Sequence, residues 1–458
     1  MKYRVEKDSL GEKQITAESY YGIQTLRGKE NFEITKRGIS RQMIKALATV
    51  KKAVAAANAT FDFIDEKKAK AIMLSCDEIL NGRLHGQFIT DLIQGGAGAS
   101  MNMNANEVIA NRANEMLGGK KGVYDLVHPI DHVNFGQSTN DVIPTAGKIA
   151  LIRQTKKLIV ELKKLSNSCN IKGKDFYDVI IPSRTHLQMD VPMRLGEIFD
   201  AFAGVFTRDV KRLEKTIESL YEINISINLE DNPKYVKKVV SNIAKFTGEP
   251  FKSPKNFYDC TRNLDGFMEL SSALKILAVN LSKTCNDIRL MASSSLSSTP
   301  EINIPNVHPC STNMPDRVIP AIPEMVNQVA FFIMGCDATV TKAAEAGQLE
   351  INVFEPVIFM TLLDALNYLR RAIRTLKEKT IDGITANKEE CAKLIENNNS
   401  LITTLIPYLG YNETISIANE ALSSNKNIYD IVLERALLSE EKLNEILDKH
   451  NLSFKNEK

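Results

Sequence analysis

Three observations predict a mainly α-helical chain organised around a bundle of long helices. Between residues 194 and 223 the apolar residues Leu195, Phe199, Phe202, Phe206, Val210, Leu213, Ile217 and Leu220 recur at steps of three and four, which sets them on one stripe of a helix. Phe267, Leu270, Leu274, Leu277 and Leu281 repeat the pattern. Segments 325–334 and 357–369 are apolar on several faces, so they need cover on more than one side and predict an oligomer.

A chain of 458 residues can bury a large core and fits about two to four domains, with long helical proteins tending to fewer. Its 58 basic and 56 acidic residues leave a net charge of +2, which offers no field of one sign to attract nucleic acid or a membrane surface. The longest apolar stretches carry polar interruptions and fall short of the roughly 18–20 residues that span a bilayer, so no membrane segment is expected. Seven cysteines without a CxxC spacing, and a start without an apolar leader, fit free thiols in a reducing cytoplasm.

In chain order, the run YYGIQTLRG from Tyr20 to Gly28 reads as a turn with an aromatic cap, and helical patterns follow over about 40–60 and 65–80. The run QGGAGASMNMNANE from Gln94 to Glu107 sets small residues before polar ones, which suits a loop leading into a helix N-terminus. Free N–H groups and the macrodipole favour an anion there. The QSTND core from Gln137 to Asp141 places the Ser138 and Thr139 hydroxyls and the Asn140 amide side by side. Such a cluster can surround a carboxylate with donors, and the same residue types are also preferred helix N-caps.

Between two long helices, the run PSRTHLQMDVPMRLG from Pro182 to Gly196 carries His186, either a satisfied structural histidine or an acid–base group. The run HPCSTNMPDRVIPAIPE from His308 to Glu324 interrupts the helical pattern with four prolines. Proline withholds backbone donors and fixes φ, so the remaining N–H groups around Ser311 and Thr312 are free to face a ligand. A plain helix connector is the other reading of this loop.

These runs together resemble the aspartase/fumarase superfamily. CSTNMPDRVIPAIPE, read from Cys310, resembles its signature loop GSSxMPxKxNPxxPE, with Cys310 for glycine, Arg317 for lysine and Ile319 for asparagine. The run at Gln94 resembles GTSxNMNxNE with Ala99 for the threonine, QSTND with its following Pro144 and Thr145 resembles the family's STND core, and the run at Pro182 resembles GRTHLQDAxPxTLG. From Ala343 the runs AAEAGQLEINVFEPVI, DGITANKEE and IVLERALL are again similar, more to the aspartase branch than to the fumarase branch. Two connections depart. The family's glycine-rich turn after Asn224 is shorter here and lacks glycine over 225–233, and its SGPR is replaced by Ser293 to Leu296.

The resemblance implies an L-aspartase-like fold with an N-terminal helical domain over 1–143, a central helix-bundle domain over 144–392 and a small C-terminal helical domain over 393–458. It implies a homotetramer whose active sites are shared between chains, acting on a small amino-acid or dicarboxylate substrate without metal or cofactor. Ser311 is implied as the base that takes the Cβ proton. Ser100, Ser138, Thr139 and Thr312 are implied at the β-carboxylate, Asn140, Thr185 and His186 at the amine and α-carboxylate, and Arg317 at the α-carboxylate. Three functions stay open: ammonia elimination from L-aspartate, elimination of an amine from another substrate such as an amino-acid betaine, and a non-catalytic role. Losing the hydrogen bonds at Ala99 and Ile319 amounts to about 3–6 kcal/mol, or roughly 10²–10⁴-fold in rate on aspartate.

Overall fold

The computed structural model of the chain describes residues 2–225, 231–293, 300–307, 318–396, 401–424 and 426–449. It is mainly α-helical, as the periodicity predicts, and the strands form only three two-stranded sheets among these residues. The hairpin β1 (Tyr3–Asp8) and β2 (Gly11–Thr16) comes first, then α1 (Ile23–Asn31), α2 (Arg41–Thr60), α3 (Glu66–Leu80) and α4 (Ala99–Met116). The long α5 (Thr139–Asp175) leads to a second hairpin, β3 (Ile180–Thr185) and β4 (Gln188–Arg194), and then to α6 (Leu195–Ser219). After α7 (Pro233–Thr247) and α8 (Phe257–Arg262) come α9 (Asp265–Met291), β5 (Ile302–Asn303), α10 (Ala321–Glu345) and α11 (Glu355–Lys379). The chain finishes with β6 (Thr385–Ala386), α12 (Lys388–Glu396), α13 (Leu401–Leu409), α14 (Tyr411–Ser424), α15 (Ile428–Glu434) and α16 (Glu440–Lys449).

The long helices form where the spacing predicts them. Of the α6 stripe, Leu195, Phe199, Phe206, Leu213 and the following Leu220 are fully buried, and Phe202, Val210 and Ile217 nearly so. Each such side chain contributes about 1.5–3 kcal/mol on leaving water, far more than the helix propensities of these residues. Phe267, Leu270, Leu274, Leu277 and Leu281 of α9 are buried in the same way.

The chain forms two compact units, the first of Met1–Val160, Lys211–Ala278 and Phe331–Arg370. Within it the run at Tyr20 does more than cap a turn. The Glu107 carboxylate of α4 accepts the backbone N–H groups of Gly22, Gln24 and Thr25 and the Thr25 hydroxyl, and Glu6 accepts that of Ile23 at 2.9 Å, so two carboxylates satisfy the open donors at the start of α1. Helices α2 and α7 are joined through Tyr235 Oη, which donates to Asn58 Oδ1 at 2.6 Å, and through the edge contact of Tyr235 with Phe61.

The second unit consists of Glu161–Val210, Val279–Ala330 and Arg371–Lys458. Its C-terminal helices enclose a core of Leu405, Ile417, Ile428, Ile431, Val432, Leu443 and Ile446. Strands β5 and β6 pair Ile302 with Ala386 and Asn303 with Thr385, which ties the segment before the proline-rich loop to the run DGITANKEE. No helix among the described residues is long and apolar enough to cross a membrane.

Candidate active site

In the first unit, two of the polar runs meet at the first turns of α4 and α5. The run from Gln94 bends through Ala97, with φ of 54°, and Gly98, with φ of 86°, into α4. A Cβ on Gly98 would lie 3.1 Å from Ile143 of α5, so a side chain would oppose both the left-handed backbone and the approach of that helix. Gln94 accepts the Met101 N–H at 3.0 Å and donates to the Asp91 carbonyl at 2.6 Å, which holds the helix start in place. Ser100 is half-buried in this first turn, where a Cβ on Gly28 of α1 would come within 2.8 Å of its Oγ. Ala99, the position that departs from the family pattern, is exposed.

Ser138 caps α5, so the capping reading of its residue type holds. Its backbone N–H is accepted by Asp141 Oδ1 at 3.0 Å and its Oγ accepts from the Asn140 N–H at 3.3 Å, a helix cap that Asp141 returns from the third helical position. Pro144 cannot donate to the Asn140 carbonyl. Thr139 Oγ1 accepts from Asn102 Nδ2 at 3.3 Å, which links the two helix starts. Ser100, Ser138, Thr139 and Asn140 thus stand on adjoining helix N-termini, where the dipoles and open N–H groups favour a carboxylate.

Beneath these turns lies a buried polar network that the motifs do not point to. Lys51 of α2 is fully buried on the same face as Leu47, Val54 and Asn58. Its Nζ donates to Asn134 Oδ1 at 2.8 Å and to Gln137 Oε1 at 3.0 Å. Asn134 Oδ1 also accepts from the side-chain amides of Asn102 and Asn106, each at 3.2 Å. Burial pulls the Lys51 ammonium down to about 7, with Asp141 and then Cys76 opposing. The available signal was a lysine on the apolar stripe of an alanine-rich helix, four residues after Leu47 and three before Val54.

In the second unit, Thr185 and His186 occupy the end of the β3–β4 hairpin. Thr185 pairs with Gln188, so His186 and Leu187 form a two-residue turn, with φ of 54° and 60°. Thr185 Oγ1 donates to Asp190 Oδ2 at 3.0 Å, and both Thr185 and His186 are exposed. Behind the turn Arg184 forms an ion pair with Glu301, whose carboxyl is pushed up by burial and held back by Arg184.

Ser311, Thr312 and Arg317, with Cys310, lie outside the described residues, as do 226–230 of the shortened connection and Ser294 to Leu296. Ile319, in the described end of the same run just before α10 begins at Ala321, lines a cleft of the second unit with Leu290, Ile302, Ile304 and Val318, and with the ion pair of Arg289 and Glu324 at 3.5 Å.

Residues 11–335 match the family described as lyase, and residues 401–453 match the family described as fumarase C C-terminus. The aspartate ammonia-lyase of Bacillus subtilis (strain 168) is 44% identical over 98% of this chain and 96% of its own length. That of Helicobacter pylori (strain J99) is 44% identical over 98% of this chain and 97% of its own. Among solved structures, a fumarate lyase:delta crystallin from Brucella melitensis bound to cobalt superposes with a TM-score of 0.94 at 41% identity, over 99% of this chain and 100% of that one. A class II fumarase from Schistosoma mansoni gives a TM-score of 0.92 at 29% identity, over 99% and 100% of the two chains.

Proposed function

The chain belongs to the aspartase/fumarase family of lyases, and from that premise we propose that it eliminates ammonia from L-aspartate to give fumarate. The observation that carries this reading is the joined pair of helix starts bearing Ser100, Ser138, Thr139 and Asn140. A proton beside a carboxylate is weakly acidic, so the reaction needs donors already aimed at the oxygens that gain charge as it leaves. Three hydroxyls and two helix N-termini supply that environment. Ser311 takes the Cβ proton, and Ser100, Ser138, Thr139 and Thr312 hold the resulting β-carboxylate dianion. Asn140, Thr185 and His186 hold the amine and α-carboxylate, Arg317 pairs with the α-carboxylate, and ammonia leaves from Cα as the double bond forms.

The same proposal includes a homotetramer with shared sites, supported by the exposed His186 turn and by exposed Phe331 and Phe332 in the middle of α10. It also includes the three consecutive domains 1–143, 144–392 and 393–458, supported by the separate core of the C-terminal helices, and a cytoplasmic place, in keeping with thiols at Cys76, Cys169 and Cys391 that burial holds protonated. A second reading, an amine lyase for a less polar substrate, is favoured by one feature. Ile319 sets a branched apolar side chain among Leu290, Ile302 and Ile304 where the family pattern has an amide.

The test is the ultraviolet absorbance of the new double bond when purified protein is given L-aspartate, with a panel of amino-acid and betaine analogues beside it. Turnover of aspartate is expected, together with a fall of kcat by about 10³-fold or more in Ser311→Ala. Turnover confined to another analogue would move the assignment to the second reading, and turnover of none would end both.

A further inference from the structure

We infer that Lys51 is a positioning residue of this site: through Asn134 and Asn102 it fixes the direction in which Thr139 offers its hydroxyl proton. The inference rests on the ammonia-lyase reading and extends it to a residue that touches no substrate. A path of hydrogen bonds runs from Lys51 Nζ to Asn134 Oδ1 at 2.8 Å, from that oxygen to Asn102 Nδ2 at 3.2 Å, and from Asn102 Nδ2 to Thr139 Oγ1 at 3.3 Å. An amide nitrogen has two protons and no acceptor capacity, so Asn102 spends one on Asn134 and the other on Thr139. Thr139 Oγ1 is then an acceptor on its inner side, and its single proton is left to point away from Asn102, out of the helix start.

The arrangement depends on the lysine. Asn134 Oδ1 receives three donors, from Lys51, Asn102 and Asn106, one more than its two lone pairs hold well, and the Lys51 bond at 2.8 Å is shorter than the two amide bonds at 3.2 Å and anchors the oxygen. Lys51 also fixes the far end, because Gln137 Oε1 accepts from it at 3.0 Å while the Asn134 amide donates to the Gln137 carbonyl at 3.1 Å. The stretch from Asn134 to Thr139 is therefore held by one lysine side chain on α2. An apolar side chain on this buried stripe between Leu47 and Val54 would fill the space at lower cost of desolvation, since the penalty of burying an ion often exceeds what its partners return. A lysine kept there at the foot of the carboxylate-binding turns fits a role in the site rather than in packing.

Lys51→Met and Thr139→Val are compared singly and together, with L-aspartate as substrate. Because the Thr139 proton is needed most when the carboxylate gains charge, Lys51→Met is expected to lower kcat by about 10–100-fold and to change KM by less than about 3-fold. In the Thr139→Val background the same substitution should change kcat by less than about 3-fold, since the path it supports has already lost its end. Independent, multiplying effects would show that Lys51 acts elsewhere and would overturn the inference while leaving the reaction standing. If Lys51→Met fails to fold, Asn102→Leu cuts the same path at its last link. It is expected to show the same loss and the same coupling to Thr139, and additivity there overturns the inference equally. A wild type without aspartate turnover removes the reaction reading, and this inference with it, before any substitution is made.

Discussion

Glu355, in the first turn of α11, is fully buried, and burial pushes its carboxyl up to about 8 against the opposing pull of Lys148. Lys148 donates to the Glu222 carbonyl at 2.7 Å and to Cys260 Sγ at 3.4 Å, and acts on the carboxyl by charge rather than by one of these bonds. The native chain therefore keeps a proton on Glu355 over a range in which the unfolded chain, with an ordinary carboxyl near 4.5, has lost it. With more protons bound in the native state, stability falls as pH rises from about 4.5 to about 8 and is level outside that window. At pH 7 the penalty is on the order of 3 kcal/mol. Glu355→Gln keeps the shape and has no proton to lose, so it should melt at a higher temperature than wild type, by a margin that grows between pH 5 and pH 8. A margin that grows in the opposite direction would mean that the carboxylate is ionised and paired with Lys148. Lys51 has the opposite sign: its ammonium is held near 7, so its contribution to stability rises with pH between about 7 and its unfolded value near 10.5.

The β3–β4 turn puts two side-chain-bearing residues, His186 and Leu187, in left-handed backbone, a conformation that glycine or asparagine adopts at lower cost. Leu187 is also 66% exposed in the single chain. If the turn faced solvent, Leu187→Asn would relieve the backbone and gain about 0.5–1 kcal/mol. If it packs on a second chain, as sharing of the site requires, about 1.5–3 kcal/mol of apolar burial is lost and outweighs that gain. A lower melting temperature for Leu187→Asn is thus expected. A higher one would leave His186 in solvent and take it out of a shared site. Elements of this kind mark the limit of what the sequence discloses. Helices α6 and α9 were legible because one stripe of apolar residues decides them, and the starts of α4 and α5 were legible because small and capping residues leave few alternatives. The hairpin carrying His186 is not legible, since its strands are short and interrupted by Pro182 and Pro192, and no glycine announces the turn. The Lys51 network is not legible either, because its members come from three separate stretches and only tertiary packing brings them together.

At the scale of the whole molecule the question is what covers the long helices. In the single chain Phe331 is 60% exposed and Phe332 is 48% exposed in the middle of α10, and Ile276 and Val279 of α9 are 37% and 46% exposed. Single exposed apolar residues are ordinary on a protein surface, but adjacent phenylalanines at the centre of a 25-residue helix are better explained by an interface. The tetramer proposed above supplies one, and native mass spectrometry is expected to find four chains of 51.1 kDa. Phe331→Glu is the sharper test. A carboxylate forced into an apolar interface must be desolvated without a partner, at a cost of several kcal/mol in each chain. The variant should therefore keep its helical circular dichroism while its mass falls to dimers or single chains. Because the proposed site draws Ser100 and Ser138 from one part of the fold and His186 from an exposed hairpin, activity should fall in step with the tetramer and return when raised protein concentration restores it. Activity retained by a dissociated variant would mean that one chain holds a complete site, and a tetramer indifferent to Phe331→Glu would move the interface to another face of the helices.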